Sequence, residues 1–291
     1  MRAWGRSSET AWALGIAVVT SLAISHTGCN QEQGVSALQK RFEDIYATGI
    51  WGGDEHGGRS GGGSTIEFTE SARTIVRLVV NLYNIQSMVD TPCGAMVWTP
   101  HVLNVIQADD VPSFRYLGGD IVRPVVQANR AKFKDKPNWT FEVFDFTKDP
   151  IPDGYDLIFN RDVLQHLSCD HIVDALQNFA RSNARYLLVG QHKTVESNLN
   201  VEDGQFFFID LRMAPFHLVK PTRVFEEYVG HLPPDVIAKG CRKPEACKLL
   251  MLYEIQYLKQ IDYAAMRQGC ASIPAKPKGH QRHPTNPAGR L

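Results

Sequence analysis

The stretch MVDTPCGAMVW, residues 88–98, decides how the rest of the chain is interpreted. Apolar residues lead into Asp90, and a Thr-Pro-Cys-Gly run then gives way to more apolar residues. Asp90 and Pro92 are residue types that form turns, so one interpretation is a plain turn. The other is a ligand-binding loop, because open α/β sheets bind ligands at the carboxyl ends of their parallel strands.

Strand and helix patterns alternate around this stretch, which predicts a parallel sheet covered by helices on both faces. Apolar residues at helical spacing predict helices at 67–83, 122–133 and 170–182. The apolar face of the first helix is expected to carry Ile75, Leu78, Val79 and Leu82, and that of the third Ile172, Ala175, Leu176 and Phe179. The predicted strands are 86–90, 114–120, 139–146, 155–162, 185–192, 222–228 and 248–256. No long helix separates the last two strands, so we expect them to form an antiparallel hairpin at the sheet edge.

Acidic residues lie at the carboxyl ends of three successive predicted strands: Asp90, Asp120 and Asp145. In a parallel sheet all three lie at one edge. A carboxylate at the second strand end can accept both hydroxyl protons of a ribose, which fits Asp120. Asp145 at the third strand end can accept from an adenine amino group, and Phe146 can cover the ring.

The loop after the first strand discriminates between ligands. Asp90 and the backbone of Cys93 and Gly94 are expected to face the part of the ligand that is not adenosine. A dinucleotide site requires the pattern G-x-G-x-x-G, but here Gly94 is followed by Ala95, Met96 and Val97. A nucleotide-dependent oxidoreductase is therefore disfavoured, and S-adenosylmethionine (SAM), which carries adenosine without phosphate, is favoured.

At these positions the chain resembles the class I SAM-dependent methyltransferases, in particular a group with a D-x-P-C-G-D-x-x-W loop. The resemblance covers about residues 40–258. The matching segments are SGGGST (60–65), DTPCG (90–94) with Trp98, YLGGDIV (116–122), DFTKDPIP (145–152), DLIFNRDVLQHLS (156–168) and PFHLVKP (215–221).

The resemblance implies a Rossmann-like class I methyltransferase sandwich, with a mostly parallel seven-stranded sheet and an antiparallel edge hairpin. It also implies SAM as cofactor, with binding residues Asp90, Pro92, Cys93, Gly94, Trp98, Asp120, Ile121, Asp145, Phe146, Asn160 and Arg161. The chain departs from the family pattern at Ala95, where the family has Asp. This change supports an alternative function, a catalytically inactive SAM-binding interaction domain.

Two residues are candidates for catalysis: Asp162, the last residue of the fourth predicted strand, and His166, four residues later. A general base is needed only if the methyl acceptor is a hydroxyl or a similar weak acid. If a helix begins near Asp162, both side chains face the same side. The alternatives are that Asp162 is an N-cap and that His166 is a packing residue. His192, at the end of the fifth predicted strand, is a weaker candidate and is expected at the surface.

The segment 52–65 contains seven glycines and is not expected to form a regular element. It is either a solvated linker or a lid over the ligand pocket. Trp51 and Trp98 are expected in the core or at the pocket rim. We predict a stem and Gly-rich loop at 31–65, a methyltransferase domain at 66–268 and a disordered tail at 269–291.

The first 30 residues have the pattern of a secretory signal. Arg2 and Arg6 precede the apolar run at 11–25, which at 15 residues is short for a membrane span of roughly 20. We expect a cleaved signal peptide or a signal anchor; the alternative is a buried helix of a soluble domain. With an anchor, the domain is membrane-attached on the lumenal side, where Asn138 begins a glycosylation sequon.

Composition restricts the partners. Lys plus Arg and Asp plus Glu are both 31, so no basic footprint for nucleic acid is visible. The six cysteines include no C-x-x-C pair, so a structural zinc site is not expected. Cys241 and Cys247 either pair in an oxidising compartment or stay free. The expected acceptor is a small molecule or a glycan.

Overall fold

A computed structural model of the chain describes residues 35–52, 59–193, 195–228 and 247–276, without the side chains of Tyr228 and Cys247. Its helices are α1 Ala37–Thr48, α2 Glu70–Leu82, α3 Thr99–Val105, α4 Arg123–Lys132, α5 Cys169–Arg181, α6 Ile255–Leu258 and α7 Tyr263–Cys270. Its strands are β1 Ser87–Asp90, β2 Arg115–Asp120, β3 Trp139–Val143, β4 Leu157–Asn160, β5 Tyr186–His192, β6 Arg223–Tyr228 and β7 Cys247–Glu254. Short 3₁₀ turns occur at Gly62–Ser64, Glu67–Thr69 and Leu164–His166, and the π-helical turn Ile106–Asp110 extends α3.

The strands form one sheet in the order β3-β2-β1-β4-β5-β7-β6. Strands β1 to β5 pair with one another in parallel, and β7 runs antiparallel to both β5 and β6. The predicted fold class, a Rossmann-like and mostly parallel sheet with an antiparallel edge, is confirmed. In the hairpin formed by β6 and β7, the later strand β7 pairs with β5, and β6 forms the edge of the sheet. Strands β1, β2 and β3 are added in one direction across the sheet, and β4 and β5 are added on the other side of β1. The strand order therefore reverses between β1 and β4, and ligands bind at such a point in open α/β sheets.

Helices cover both faces of the sheet, so consecutive strand residues enter different cores. Met88 packs with the cluster under α2 and α3, whereas Val89 packs with the cluster under α1 and α5. Leu157 and Ile158 divide in the same way. Burial on both faces explains why these strands are apolar without alternation.

The buried face of α2 differs from the prediction. Leu78 and Leu82, expected on the apolar face with Ile75 and Val79, are 42% and 56% exposed. The residues that α2 buries are Ala72, Ile75, Val76, Val79 and Val80. The small Ala72 allows close packing on this face, which the prediction overlooked. For α5, the predicted core residues Ile172, Ala175, Leu176 and Phe179 are all fully buried.

Helix α1 lies within the segment predicted to be a stem. Its N-cap Ser36 accepts a hydrogen bond from the Gln39 backbone N–H at 3.1 Å, and Gly49 ends it with φ of 65°. Leu38, Phe42 and Ile45 pack into the core beneath α1. The predicted domain boundaries stay a prediction, but α1 is packed with the sheet domain.

Several predictions lie partly or wholly outside the described residues. They concern the signal segment 1–30, the pairing of Cys241 with Cys247, and the tail beyond residue 276. Within the tail predicted from 269, α7 continues to Cys270. Among the described residues, no helix has the length and hydropathy to cross a membrane, and no cluster of His, Cys, Asp or Glu is placed to hold a metal.

A disulfide joins Cys169, the first residue of α5, to Cys270, the last residue of α7. The two residues are 101 positions apart in the chain, and their Cα atoms are 5.7 Å apart. The sequence did not indicate this pair. Cys93 is a free, buried cysteine.

Candidate active site

The carboxyl ends of β1, β2 and β4 open onto a cleft that holds about 830 Å³ of space between atoms, counting the part open to solvent. Helix α1 and the segment around Ser60 form its opposite wall. Of the residues predicted for the site, the cleft is lined by Asp90, Pro92, Cys93, Gly94, Trp98, Asp120, Ile121, Asp145, Phe146, Arg161 and Asp162. The fold therefore brings most of the predicted site residues together in one cleft.

Asp120, the last residue of β2, holds two loops by its carboxylate. One oxygen accepts from the Gly94 backbone N–H and the other from the Val122 N–H, both at 2.9 Å. Burial raises the pKa of Asp120 to about 6, although the two backbone hydrogen bonds oppose that shift. The carboxylate is thus fixed at the cleft and is readily protonated in mild acid.

Asp90, the last residue of β1, is 3% exposed and accepts a hydrogen bond from the Tyr116 hydroxyl at 2.7 Å. Burial raises its pKa to about 7, and the charge of Asp120 adds to the shift. The Tyr116 hydrogen bond and the Arg161 charge oppose it. Asp90 and Asp120 are therefore two buried carboxyls that disfavour each other's ionisation.

The loop after β1 is held from both sides. Gly94 has φ of 57°, and its carbonyl accepts from the Asn129 side chain at 2.8 Å. Across the cleft, the Ser60 hydroxyl accepts from the Ala95 backbone N–H at 3.2 Å and pairs with the Tyr46 hydroxyl at 2.8 Å. A Cβ at Gly94 would lie 2.8 Å from Ser60 Oγ, so this close approach requires glycine.

Asp145 lies two residues beyond β3 and is 6% exposed. Its Oδ1 accepts from the backbone N–H and the hydroxyl of Thr147, at 3.0 and 2.6 Å. The neighbouring Phe146 stacks on Phe179 of α5 with ring centroids 5.8 Å apart. Asp145 and Phe146 thus present a fixed acceptor and a fixed apolar surface at the third strand end.

Most of the hydrogen-bond donors of Arg161, which follows β4, are used by protein groups. Its guanidinium makes hydrogen bonds to both carboxylate oxygens of Glu227 on β6 and donates to the Gly63 carbonyl at 3.1 Å. It also lies 5.6 Å from the centre of the Trp98 ring. Arg161 therefore fastens the Gly-rich segment to the sheet, and few of its donors remain for a ligand.

Asp162 does not have the environment expected of a general base or of an N-cap. Its carboxylate contacts Lys248 Nζ at 2.6 and 2.7 Å and Arg161 Nη1 at 3.0 Å. Burial alone would raise the pKa of Asp162, but these cations outweigh burial and hold that pKa well below its usual range. Its φ is 58°, and the turn at Leu164–His166 is preceded by Val163 without a side-chain cap.

Three polar residues lie elsewhere than predicted. Asn160 is not among the residues that line the cleft, and its side-chain amide donates to the Thr91 carbonyl at 2.6 Å. His166 ends a single 3₁₀ turn, so it does not share a helix face with Asp162, and its Nδ1 lies 3.0 Å from the Gln205 carbonyl. His192, expected at the surface, is 2% exposed because β7 and the segment 206–208 cover it.

Sequence reasoning missed the part of the cleft wall that α1 forms, where Leu38, Phe42 and Tyr46 line the cleft. Trp51 and Ser60 also line it; the sequence had placed Trp51 in the core or at the pocket rim, and Ser60 in a linker or lid. The Ser36 cap, the apolar spacing of α1 and Gly49 were visible signals for the helix. No local signal placed that helix over the strand ends, because this placement depends on tertiary packing.

No protein-family model matches the chain, and no curated protein matches it. Among solved structures, the chain is similar to the N-methyltransferase NodS from Bradyrhizobium japonicum WM9 in complex with S-adenosyl-L-homocysteine. The identity is 13%, with 75% of this chain and 98% of that chain covered and a TM-score of 0.48.

It is also similar to the O-methyltransferase from a trans-AT PKS multienzyme of Brevibacillus brevis, at 17% identity, with 69% and 76% covered and a TM-score of 0.45. A third similar structure is human N-acetylserotonin methyltransferase in complex with SAM, at 14% identity, with 75% and 56% covered and a TM-score of 0.43.

Proposed function

We propose that this chain is a SAM-dependent methyltransferase that acts on a small-molecule or glycan acceptor. The observation that carries the proposal is the convergence of Asp90, Asp120 and Asp145 on one cleft at the carboxyl edge of the Rossmann-like sheet. Ligands bind at this edge in open α/β sheets, and the loop after β1 lacks the glycines of a pyrophosphate site.

The lone pairs of Asp120 support its assignment to the cofactor ribose. Each carboxylate oxygen accepts one backbone N–H, from Gly94 or from Val122. Because a carboxylate has about four lone-pair sites, each oxygen retains capacity for one ribose hydroxyl. The backbone hydrogen bonds fix the orientation of the carboxylate before the ligand arrives, which lowers the cost of binding.

Asp145 and Phe146 are assigned to the adenine. Thr147 occupies Oδ1 of Asp145, which leaves Oδ2, 3.5 Å from Lys148 Nζ, able to accept from an amino group. Phe146 lines the cleft and rests on Phe179, so its ring offers an apolar surface to a planar base.

The loop after β1 and Asp90 are assigned to the methionine end of the cofactor. SAM, when bound, supplies a methyl group on a positively charged sulfur, which is transferred by in-line displacement. A buried carboxyl such as Asp90 becomes easier to ionise beside a positive charge. The main task of the chain is therefore alignment of cofactor and acceptor in a partly desolvated cleft.

The ion pairs of Asp162 favour a positioning role over proton transfer. A carboxylate with a lowered pKa is a weak base, and both oxygens of Asp162 are engaged by Lys248. Through Arg161, Asp162 is also linked to Glu227 and to the carbonyl of Gly63. We infer that this ionic cluster sets the shape of the cleft beside the methyl group.

A second candidate is a domain that binds SAM without turnover. This candidate is favoured by Ala95, an uncharged residue at a position where the methyltransferase group that the chain resembles has Asp. Calorimetric titration with SAM and with S-adenosylhomocysteine tests binding, and transfer of labelled methyl from SAM to lysate fractions tests turnover. Binding of both compounds without any labelled product would support the inactive domain. Failure to bind either compound would contradict both candidates.

We also propose that residues 1–30 direct the chain into the secretory path as a cleaved signal or an anchor. The Cys169–Cys270 disulfide supports an oxidising compartment. Full-length protein is expected to sediment with membranes if the segment is an anchor, and to lose the segment if it is a signal. A chain that begins at Ser36 should be soluble. A soluble, unprocessed full-length protein would contradict any targeting role.

A further inference from the structure

Next to the cleft lies a cluster of aromatic rings that the proposed cofactor assignments do not use. We call Trp51, His166, His192, Phe206 and Phe208 the aromatic shelf. Ring centroids are 4.5 Å apart for Trp51–His166, 5.5 Å for His166–Phe206, 5.1 Å for His192–Phe208 and 5.0 Å for Phe206–Phe208. Rings from four separate chain segments thus form one continuous surface.

The shelf is partly open to solvent. Trp51, His166, Phe206 and Phe208 are half-buried, whereas Phe207 and Ile209, which alternate with the last two, are fully buried. Partly exposed aromatic clusters beside a cleft are a common feature of ligand sites.

Backbone hydrogen bonds hold the shelf in position. Phe207 N–H donates to the Gln165 carbonyl at 3.0 Å, and His192 N–H donates to the Ile209 carbonyl at 2.7 Å. Lys276 Nζ donates to the Phe206 carbonyl at 2.6 Å. The segment that carries the two phenylalanines is therefore anchored to β5 and to the turn that follows β4.

His192 contributes a neutral ring. Its Nδ1 accepts from the Ile209 backbone N–H at 3.3 Å, so the neutral ring carries its proton on Nε2. Burial lowers the pKa of His192 to about 4, and the charge of Lys248 adds to the shift while Asp162 opposes it. At neutral pH the shelf therefore has no positive charge at this ring and suits an uncharged planar ligand.

Trp51 belongs both to the shelf and to the lining of the cleft. Its indole Nε1 is buried and has no hydrogen-bond partner among the described residues. A buried donor without a partner costs free energy, and a ligand oxygen would satisfy it. The unsatisfied donor thus lies where the cofactor cleft meets the aromatic surface.

We propose that the aromatic shelf is the acceptor site, and that the acceptor is a planar aromatic compound with an oxygen that accepts a hydrogen bond from Trp51 Nε1–H. This inference rests on the proposed methyltransferase function and specifies its acceptor. In the transfer, a lone pair of the acceptor forms the bond to the methyl carbon. The carbon–sulfur bond breaks with its electron pair on sulfur, and the acceptor's proton passes to solvent.

The test uses the full chain and a matched pair of probes. 2-Naphthol is planar and aromatic, whereas decahydro-2-naphthol has the same skeleton and hydroxyl but is saturated. Both are titrated calorimetrically into protein saturated with S-adenosylhomocysteine, so that the adenine site is filled. We expect 2-naphthol to bind about tenfold more tightly than the saturated probe, since ring–ring contacts favour the planar compound. Equal affinities, or no binding of 2-naphthol, would overturn the proposal.

Variants locate the binding. The double substitution Phe206→Leu and Phe208→Leu keeps apolar volume and should weaken 2-naphthol binding about tenfold. Trp51→Phe keeps a ring but removes the N–H, and should weaken it about threefold to tenfold. Tyr186→Leu is the control, because Tyr186 packs on Tyr83 with centroids 5.1 Å apart at the other end of the sheet. If the shelf variants retain wild-type affinity for 2-naphthol, the shelf is not the site.

Affinity for S-adenosylhomocysteine separates the two proposals. It should be unchanged in the shelf double variant, which also shows that this variant is folded. If wild-type protein does not bind S-adenosylhomocysteine, the methyltransferase proposal fails. The affinities of the two probes are then compared in the absence of S-adenosylhomocysteine. If it binds S-adenosylhomocysteine but shows no preference for 2-naphthol, only the assignment of the acceptor fails.

Discussion

The carboxylate of Asp120 and the backbone N–H of Gly94 form a 2.9 Å hydrogen bond that ties the end of β2 to the loop after β1. Through this bond, one side chain both orients the loop and faces the cleft. Loss of Asp120 should therefore affect the ligand directly and the loop indirectly.

Asp120→Ala should weaken SAM binding by about 2–3 kcal/mol, the scale of a lost pair of charge-assisted hydrogen bonds. Titration calorimetry measures the change. Asp135→Ala removes an exposed acid in the turn after α4 and should leave SAM affinity unchanged. If SAM affinity survives Asp120→Ala, the assignment of Asp120 to the ribose is wrong.

SAM affinity should fall in mild acid. The ribose hydroxyls donate to the ionised carboxylate of Asp120, whose pKa burial raises to about 6. Through Asp120 alone, SAM affinity should be steady above that pH and fall by up to about tenfold per pH unit below it. Protonation of Asp90, with a pKa of about 7, acts in the same direction near a positively charged sulfur. In the Asp120→Ala variant, the curve of SAM affinity against pH should lack the inflection near pH 6 that the wild type owes to Asp120.

Stability without ligand should change with pH in the opposite direction. Because the pKa of Asp120 is raised from 3.8 to about 6, the folded protein holds this proton more tightly than the unfolded chain does. Its contribution to stability is therefore largest below the unfolded pKa and is lost as the pH rises through about 6. Thermal melts of the wild type and of Asp120→Ala, compared across this range, isolate the contribution of Asp120.

Asp162→Asn should destabilise the fold while leaving a measurable methyl-transfer rate. The change removes the anion between Arg161 and Lys248 and leaves the partly buried Lys248 ammonium without its ion-pair partner. The expected loss is about 1–3 kcal/mol in urea denaturation. A rate loss of about 10² or more at full stability would instead restore Asp162 as a general base.

Two neighbouring glycines give a matched comparison. A Cβ at Gly63 would lie 2.8 Å from Asp162 Oδ2 and 3.4 Å from Lys248 Nζ, whereas at Gly62 it would meet no atom within 4 Å. Gly63→Ala should cost about 1–3 kcal/mol of stability through overpacking, and Gly62→Ala should stay within about 0.5 kcal/mol. Equal effects in thermal melts would show that the Gly-rich segment does not rest on the ionic cluster.

The disulfide links Cys169 and Cys270, which are 101 positions apart in the chain. Replacing both cysteines with alanine should cost about 2–4 kcal/mol, because the unfolded chain regains conformational freedom. Reductant should lower the melting temperature of the wild type and leave the double variant unaffected. Peptide mapping without reduction should recover the Cys169–Cys270 crosslink.

The sheet and its acidic edge could be predicted because their signals are local. Apolar runs that end in Asp90, Asp120 and Asp145 fix both a strand and the edge that its last residue faces. Alternation with helices then implies the parallel arrangement. The core face of α5 followed from periodicity alone, but that of α2 did not, because Leu78 and Leu82 remain exposed while Ala72 is buried.

Much of the site's electrostatics could not be predicted, because it depends on partners far apart in sequence. Asp162 meets Lys248 only when β7 is in the sheet, and Arg161 meets Glu227 only through β6. A residue's neighbours in sequence do not reveal that its carboxylate will face two cations. For the same reason the burial of His192 and the Cys169–Cys270 pair were missed.

The insertion of β7 between β5 and β6 has a consequence for the order in which the site is assembled during synthesis. Lys248 lies opposite His192 in the pairing of β5 with β7, so the partner of Asp162 is among the last parts of the domain to leave the ribosome. Until then β5 has an open edge, and the ionic cluster lacks both Glu227 and Lys248. A nascent chain that stops before β7 therefore carries all three strand-end acids but not the finished cleft.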